Sequence, residues 1–239
     1  MTRSRLSHPR NSRRPMKVEV WADVVCPWCY IGRKRLEKAL AQFDGPPPVE
    51  VVYRSFELDP GAPIETDMSL DQLLAAKYGL SLVEAHAANE RVTRTAAAEG
   101  LEFHLDRARP TNTLAAHRVL QLASVRRIRP AVEERFLGAY FSEGASLADP
   151  ETLLRLSVEA GLKEADVRHV LAGQAFTLQV RADEAEASAL GAEGVPFFLF
   201  DRTKTVSGAQ PVDFFLSVLR MIGDQSRAAT ETPPDVDKR

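Results

Sequence analysis

Cys26-Pro27-Trp28-Cys29 holds both cysteines of the chain, at the spacing where two thiols can close into a disulfide and open again. A thiol attacks a disulfide only as thiolate, so the attacking sulfur needs a lowered pKa and access to solvent. The N-terminus of a helix offers both, through unpaired N–H groups and the positive end of the helix dipole. With Cys26 as N-cap, Pro27 takes the first helical position, where a missing N–H costs nothing and φ is already suitable. Cys29, one turn in, would point back toward Cys26 and lie deeper. Cys26 is therefore read as the attacking nucleophile and Cys29 as the resolving thiol, which releases a mixed disulfide by closing the internal one. Trp28 adds an apolar platform beside the active sulfur and, unlike histidine, no titratable charge, so a less oxidising pair is expected than one with histidine there.

The flanking residues supply the elements that would position this pair. Upstream, Lys17-Val18-Glu19-Val20-Trp21-Ala22-Asp23 alternates like a strand, and downstream Ile31, Leu36, Leu40 and Phe43 recur at helical intervals. Asp44-Gly45-Pro46-Pro47-Pro48 breaks the helix, and Val49 to Phe56 reads as a second strand, parallel to the first through the helical crossover. From Ser69 the pattern becomes helix after helix, opened by capping boxes at Ser69-Leu70-Asp71-Gln72 and Ser81-Leu82-Val83-Glu84. Further helices are predicted over Thr113–Val125, Pro130–Glu143, Pro150–Glu159 and Lys163–Leu171, with Gly100 and Gly161 as terminators. Strand signals return after a helix over Arg181–Leu190. Pro196 to Phe200 is an apolar strand, Asp201-Arg202-Thr203-Lys204 a hairpin turn, Thr205-Val206-Ser207 the return strand, and Val212 to Met221 a closing helix.

These elements divide the chain into a basic tail at 1–15, expected disordered, a first α/β part at 16–65, an α-helical insertion at 66–175, a second α/β part at 176–223 and a polar tail at 224–239, also expected disordered. With 31 basic and 33 acidic residues the net charge is −2, which gives no electrostatic ground for nucleic acid or a membrane surface as partner. The arginine-rich start lacks the apolar stretch of a secretion signal, and no window resembles a membrane span. Two cysteines confined to one motif suit a reducing cytoplasm, where thiols serve function and not stapling.

Gly194-Val195-Pro196 is the second informative element. Placed after a helix and before a hairpin, Pro196 is expected to follow a cis bond, turning Gly194 and Val195 toward the sulfurs, where their backbone could pair with an extended substrate. In combination with that element, several stretches resemble the DsbA-like branch of the thioredoxin superfamily, and within it the FrnE type. They are Asp23 to Gly32, Phe56-Glu57-Leu58-Asp59-Pro60, Asn112 to Arg118, Ala139 to Gly144, Gly194 to Phe198 and Val206 to Pro211. The resemblance spans about residues 17 to 222. It implies a thioredoxin fold, a central mixed sheet flanked by helices, interrupted by the helical insertion, with Cys26 nucleophilic, Cys29 resolving and Val195 before a cis Pro196. Such proteins often carry a buried acid six residues before the first cysteine. Here Val20 occupies that place, and Asp23, though nearer, need not face the sulfurs, so the proton acceptor for Cys29 stays unassigned.

The remaining candidates read as structural. Among His8, His86, His104, His117 and His169 no pair has zinc-ligand spacing, and no metal or organic cofactor is expected. His117 is read as a structural or hydrogen-bonding residue, Phe197, Phe198 and Phe200 as core, and Asp183, Glu184 and Glu186 as a solvated helix face. The expected activity is dithiol–disulfide exchange on protein disulfides and dithiols or on glutathione-type thiols, with isomerisation within its scope. Two alternatives stand beside it: a glutathione-dependent isomerase or transferase of the same fold, which commonly has serine where Cys26 stands, and a client-binding chaperone with incidental thiols. An apolar face around Trp28 would serve either peptide binding or a homodimer contact.

Overall fold

The strand leading to the cysteines, β1 (Met16–Ala22), lies inside a four-stranded sheet. On one side it runs parallel to β2 (Val49–Ser55), Met16 opposite Val49 and Ala22 opposite Ser55. On the other it is antiparallel to β3 (Phe197–Phe200), Trp21 opposite Phe197, and β3 pairs in turn with β4 (Lys204–Ser207). The computed structural model describes residues 14–64 and 66–231.

Side-chain alternation sorts the sheet into two buried faces. Val18, Val20, Phe198, Phe200 and Val206 meet Leu36 and Ala39 of α1 (Pro27–Gln42) and Phe215, Leu216, Leu219 and Ile222 of α9 (Val212–Glu231). Phe198 and Phe215 pack edge to face with centroids 4.8 Å apart. Trp21, Phe197 and Leu199 point the other way, onto Ala187 and Leu190 at the end of α8 (Thr177–Ala189). Trp21 is fully buried, and its indole N–H donates to the Asp183 carbonyl at 2.8 Å, fastening α8 to the strand. Each such aromatic contributes about 1.5–3 kcal/mol by burial.

Between β2 and α8 come six helices: α2 (Leu70–Tyr78), α3 (Leu82–Ala98), α4 (Leu114–Val125), α5 (Arg129–Phe141), α6 (Pro150–Glu159) and α7 (Glu164–Ala172). Ser69 with Gln72 and Ser81 with Glu84 make the reciprocal capping bonds expected of them. Gly100 and Gly161 follow their helices at φ of 86° and 101°, a conformation that favours glycine. The apolar core of this block, including Phe103, Leu120, Phe136 and Phe141, is continuous with Val24, Tyr30 and Ile31. The helices thus pack directly on the segment that carries the cysteines.

Three expectations need correction. Helix α8 begins at Thr177, four residues before Arg181. The hairpin turn takes Asp201, Arg202 and Thr203, while Lys204 already pairs with Phe200. Helix α9 runs to Glu231, well into the 224–239 segment expected to be disordered. Polarity alone does not stop a helix, and that stretch has no proline or glycine before Pro233. Residues 1–13 and 232–239 of the two expected tails lie outside the described residues. Arg14 pairs with Asp201 at 2.8 Å on the surface.

Candidate active site

Cys26 caps α1 with extended backbone, φ −91° and ψ 113°, and Pro27 follows at the first helical position. The Cys29 and Tyr30 amides donate to the Cys26 carbonyl at 3.0 and 3.4 Å, closing the first turn and bringing Cys29 back beside Cys26. Both thiols are free. They are equally buried, each 3% exposed, so the expected depth difference is absent. Cys26 is covered because it shares a small apolar cluster with Ala22, Cys29 and Val195. The sulfurs differ in electrostatics instead. Burial pushes the Cys29 thiol well above its ordinary pKa, and the hydrogen bond and charge of Cys26 and the charge of Asp23 add to this. The Asp23 backbone N–H, 3.5 Å from Cys29 Sγ, opposes the shift.

The strand entry faces this pair. The Val195–Pro196 bond is cis, and the Val195 carbonyl accepts from the Cys26 thiol at 3.6 Å. Pro196 is buried, and its carbonyl is held by the Gly208 N–H at 2.8 Å; Gly194 and Val195 are half-buried. Gly32 lets α1 approach closely, since a Cβ there would stand 3.1 Å from Pro196 Cγ. Trp28 is 41% exposed, an apolar ring in the first turn of α1.

Behind the cysteines lies a polar group that sequence reasoning missed. Asp23 is buried, and four groups, two of them from the head of α4, converge on its carboxylate. Val25 N–H reaches Oδ1 at 3.4 Å, Leu58 N–H reaches Oδ2 at 2.8 Å, and the Thr113 hydroxyl reaches Oδ2 at 3.4 Å. His117 Nε2 lies 3.3 Å from Oδ1, and its ring is fully buried with no partner for Nδ1. Glu57 sits near enough to feel the charge of His117. Burial raises the Glu57 pKa, against the lowering pull of Arg181, which donates to Oε2, and of His117. The signals were the three-residue offset of Asp23 from Cys26 and the Asn112–Arg118 stretch; nothing in one dimension joins them.

Asp183 also departs from its expectation as a solvated residue. It is buried, accepting from the Ser55 N–H at 2.9 Å and Gln121 at 2.6 Å, with Arg54 at 3.4 Å. Glu184 faces inward as well, accepting from Arg181 and the Glu57 N–H. Among the described residues, no group of three or more His, Cys, Asp or Glu is placed to hold a metal ion. Nor is any described helix long and apolar enough to cross a membrane.

A Cys-x-x-Cys dithiol at the head of a helix, facing a proline-led strand of a β2-β1-β3-β4 mixed sheet, defines a thioredoxin-fold protein. The chain belongs to the DSBA-like thioredoxin domain family, whose model matches residues 17–220. It is similar to the probable DsbA oxidoreductase SCO1869 from Streptomyces coelicolor, with 44% identity, 92% of each chain covered and a TM-score of 0.83. YwbO of Bacillus subtilis is 26% identical over 217 residues, 83% of this chain and 92% of that protein. The cytosolic disulfide reductase DsbM from Pseudomonas aeruginosa, in its structure with GSH, shares the fold at 19% identity, with 86% of this chain and 98% of that one covered and a TM-score of 0.60. The family relation supports oxidoreductase chemistry of the thiol–disulfide type.

Proposed function

We propose that the chain exchanges disulfides through Cys26 and Cys29, on protein disulfides and dithiols or on small thiols of the glutathione type. The observation that carries this reading is the asymmetry of a buried pair. Cys26 heads α1 against the Val195 carbonyl, while Cys29 sits deeper in the electrostatic sense, its thiol form favoured by burial and by neighbouring charge.

In the reaction, the Cys26 thiolate attacks one sulfur of a substrate disulfide, a new S–S bond forms, and the other substrate sulfur leaves as thiolate. Cys29 then attacks Cys26 Sγ, closing the internal disulfide and releasing the second substrate thiolate. Two electrons pass from the protein's thiols to the substrate, and the reverse sequence oxidises a dithiol. Val195 meets the Cys26 thiol, and with Trp28 and Gly194, its neighbours in this reading, it would offer an exposed ring and a strand-entry backbone to an extended thiol-bearing segment. Glutathione enters this reading through the fold shared with DsbM. A reducing, cytoplasmic setting fits a chain with no cysteines besides the pair.

The test is the reduction potential of the Cys26/Cys29 couple in glutathione buffers, read by tryptophan fluorescence with Cys26→Ser as control. A cooperative two-electron transition that the serine variant lacks is the expected result. Absence of any transition in the wild-type chain would remove the redox reading.

A further inference from the structure

The chain between β2 and α3 is rich in apolar residues and buries none of them. From Leu58 to Glu84 no described residue is buried, although the stretch includes Leu70, Leu73, Leu74 and Tyr78 of α2. Resting on the disulfide-exchange reading, we propose that this stretch is a docking face for protein clients, and that the client segment it holds is apolar and basic.

Exposed apolar residues concentrate here. Of the thirteen large apolar residues exposed among the described residues, seven fall between Leu58 and Val83, with Ile64 67%, Tyr78 63% and Val83 79% exposed. Apolar residues scattered singly over a surface need no partner, whereas a run of them marks an interaction surface. Polar contacts, not burial, give the stretch its shape. Ser69 and Ser81 cap α2 and α3 reciprocally, and Gly79 ends α2 in the left-handed conformation at φ 66°. Before α2, the Thr111 hydroxyl holds the Ile64 carbonyl, and Asn112 holds those of Pro60 and Pro63. The stretch also adjoins the segment that carries the cysteines. Leu58 N–H donates to Asp23 at 2.8 Å, and beside α2 an open groove of about 490 Å³ has Leu70, Phe103 and Leu105 in its wall. Phe103 stacks on Tyr30, the residue after Cys29, with ring centroids 5.9 Å apart.

Charge selects the occupant. Residues 58–84 hold five acids, Asp59, Glu65, Asp67, Asp71 and Glu84, and one base, Lys77, which leaves −4 on this stretch in a chain whose total is −2. Elsewhere acids are matched by permanent cations: Glu99 by Arg35 and Lys38, Glu159 by Arg135 and Arg155. Among the described residues no lysine or arginine pairs with Asp59, Asp67, Asp71 or Glu84; Asp71 meets His86, and Glu84 serves the capping box of Ser81. The groove wall adds Glu90 and Asp106, and the Arg94 beside them already lies on Glu90 at 3.5 Å. A second copy of the chain would set one negative face against another, which is unfavourable. Glutathione, small and acidic, matches neither the apolar residues nor the charge. A polypeptide segment with leucine- or phenylalanine-type side chains among lysines or arginines matches both.

The probe is a fluorescein-labelled, cysteine-free peptide of leucine, phenylalanine and arginine, whose binding to the full chain is read by anisotropy. Its control is the same peptide with glutamate for each arginine. The basic peptide is expected to bind about tenfold or more tightly than the acidic one, the difference shrinking at high salt. Leu82→Ser with Val83→Ser, and separately Asp67→Lys, should each weaken the basic peptide by about threefold or more. Equal binding of the two peptides, or undiminished binding in these variants, overturns the inference. So does a dimer in sedimentation that Val83→Asp converts to a monomer, since a second copy then covers the face. Should the variants fail to fold, amide hydrogen exchange of the wild-type chain decides. The basic peptide should slow exchange within residues 58–84, and slowing confined to other segments overturns the assignment. Exchange chemistry is read separately with 5,5′-dithiobis(2-nitrobenzoate), where the first thionitrobenzoate released reports attack by Cys26. A chain that releases it but does not discriminate between the peptides loses the docking face alone. One that discriminates but releases none keeps the docking face and loses the redox reading.

Discussion

The thiol of Cys26 donates to the main-chain carbonyl of Val195 at 3.6 Å, joining the head of α1 to the strand entry led by Pro196. A serine hydroxyl can make the same bond, so Cys26→Ser should melt within about 3 °C of wild type, a change of about 1 kcal/mol for a chain of this size. Its reaction with 5,5′-dithiobis(2-nitrobenzoate) should fall about a hundredfold, because the thiol that remains, Cys29, is buried and its pKa raised. Thiol release at the wild-type rate would show that Cys26 is not the attacking sulfur.

Trp28 stands in the first turn of α1, 41% exposed and without a titratable group. A histidine there would bring a partial positive charge to the thiolate end of the helix and stabilise the reduced pair. Trp28→His should therefore shift the potential by about 30 mV or more in the oxidising direction, equivalent to about 1.4 kcal/mol. Equilibration with glutathione measures it, and an unchanged or more negative potential would show that the residue does not tune the couple.

The raised pKa of Cys29 ties stability to pH in the reduced protein. Below the ordinary value of 9.0 the thiol is protonated whether the chain is folded or unfolded, and its contribution is fully present. Above that value the unfolded chain releases the proton while the folded chain retains it, so stability falls as pH rises toward the folded pKa. Reduced wild type should lose about 1.4 kcal/mol more per pH unit than Cys29→Ser in that window. Tyr30, Tyr53 and Tyr140 also have raised pKa values, and the comparison with Cys29→Ser cancels their share. Parallel denaturation curves from pH 8 to 11 for the two proteins would count against it.

How much of this was readable in one dimension depends on how local each cause is. The strand before Cys26, the capping boxes at Ser69 and Ser81 and the proline at the head of α1 follow from neighbouring residues, and they stand where the residues put them. Polarity misled where tertiary partners outweighed it. Asp183 looks like a solvated residue on a charged helix, yet the Ser55 amide, Gln121 and Arg54 satisfy it in the interior. Asp23 and His117 are separated by the second strand and three helices, and only the docking of α4 behind the cysteines brings them to 3.3 Å. Equal burial of the two sulfurs likewise depends on Ala22 and Val195, residues from two different strand ends.

Gly32 tests whether the close approach of α1 to the Pro196 entry is needed for exchange. A Cβ at this position would lie 3.1 Å from Pro196 Cγ and 3.4 Å from the Cα and Cβ of Ala209, so an alanine already requires its neighbours to give. Against that stands a gain of about 1 kcal/mol in helix propensity over glycine, and the two effects roughly offset. Valine adds two methyl groups to a seam with no room for them, and its expected cost is about 1–3 kcal/mol. The strain would fall where Arg35 also holds the Ala209 carbonyl at 2.6 Å, so relief by moving the 209 segment is resisted and Pro196 must shift instead. Because the Cys26–Val195 contact lies on the same seam, Gly32→Val should slow exchange as well as lower the melting temperature, while Gly32→Ala stays near wild type in both. Denaturant titration and the rate of the first thionitrobenzoate release measure the two effects. A valine variant with wild-type stability and rate would mean that the seam is looser than its distances indicate and that Gly32 serves the helix alone.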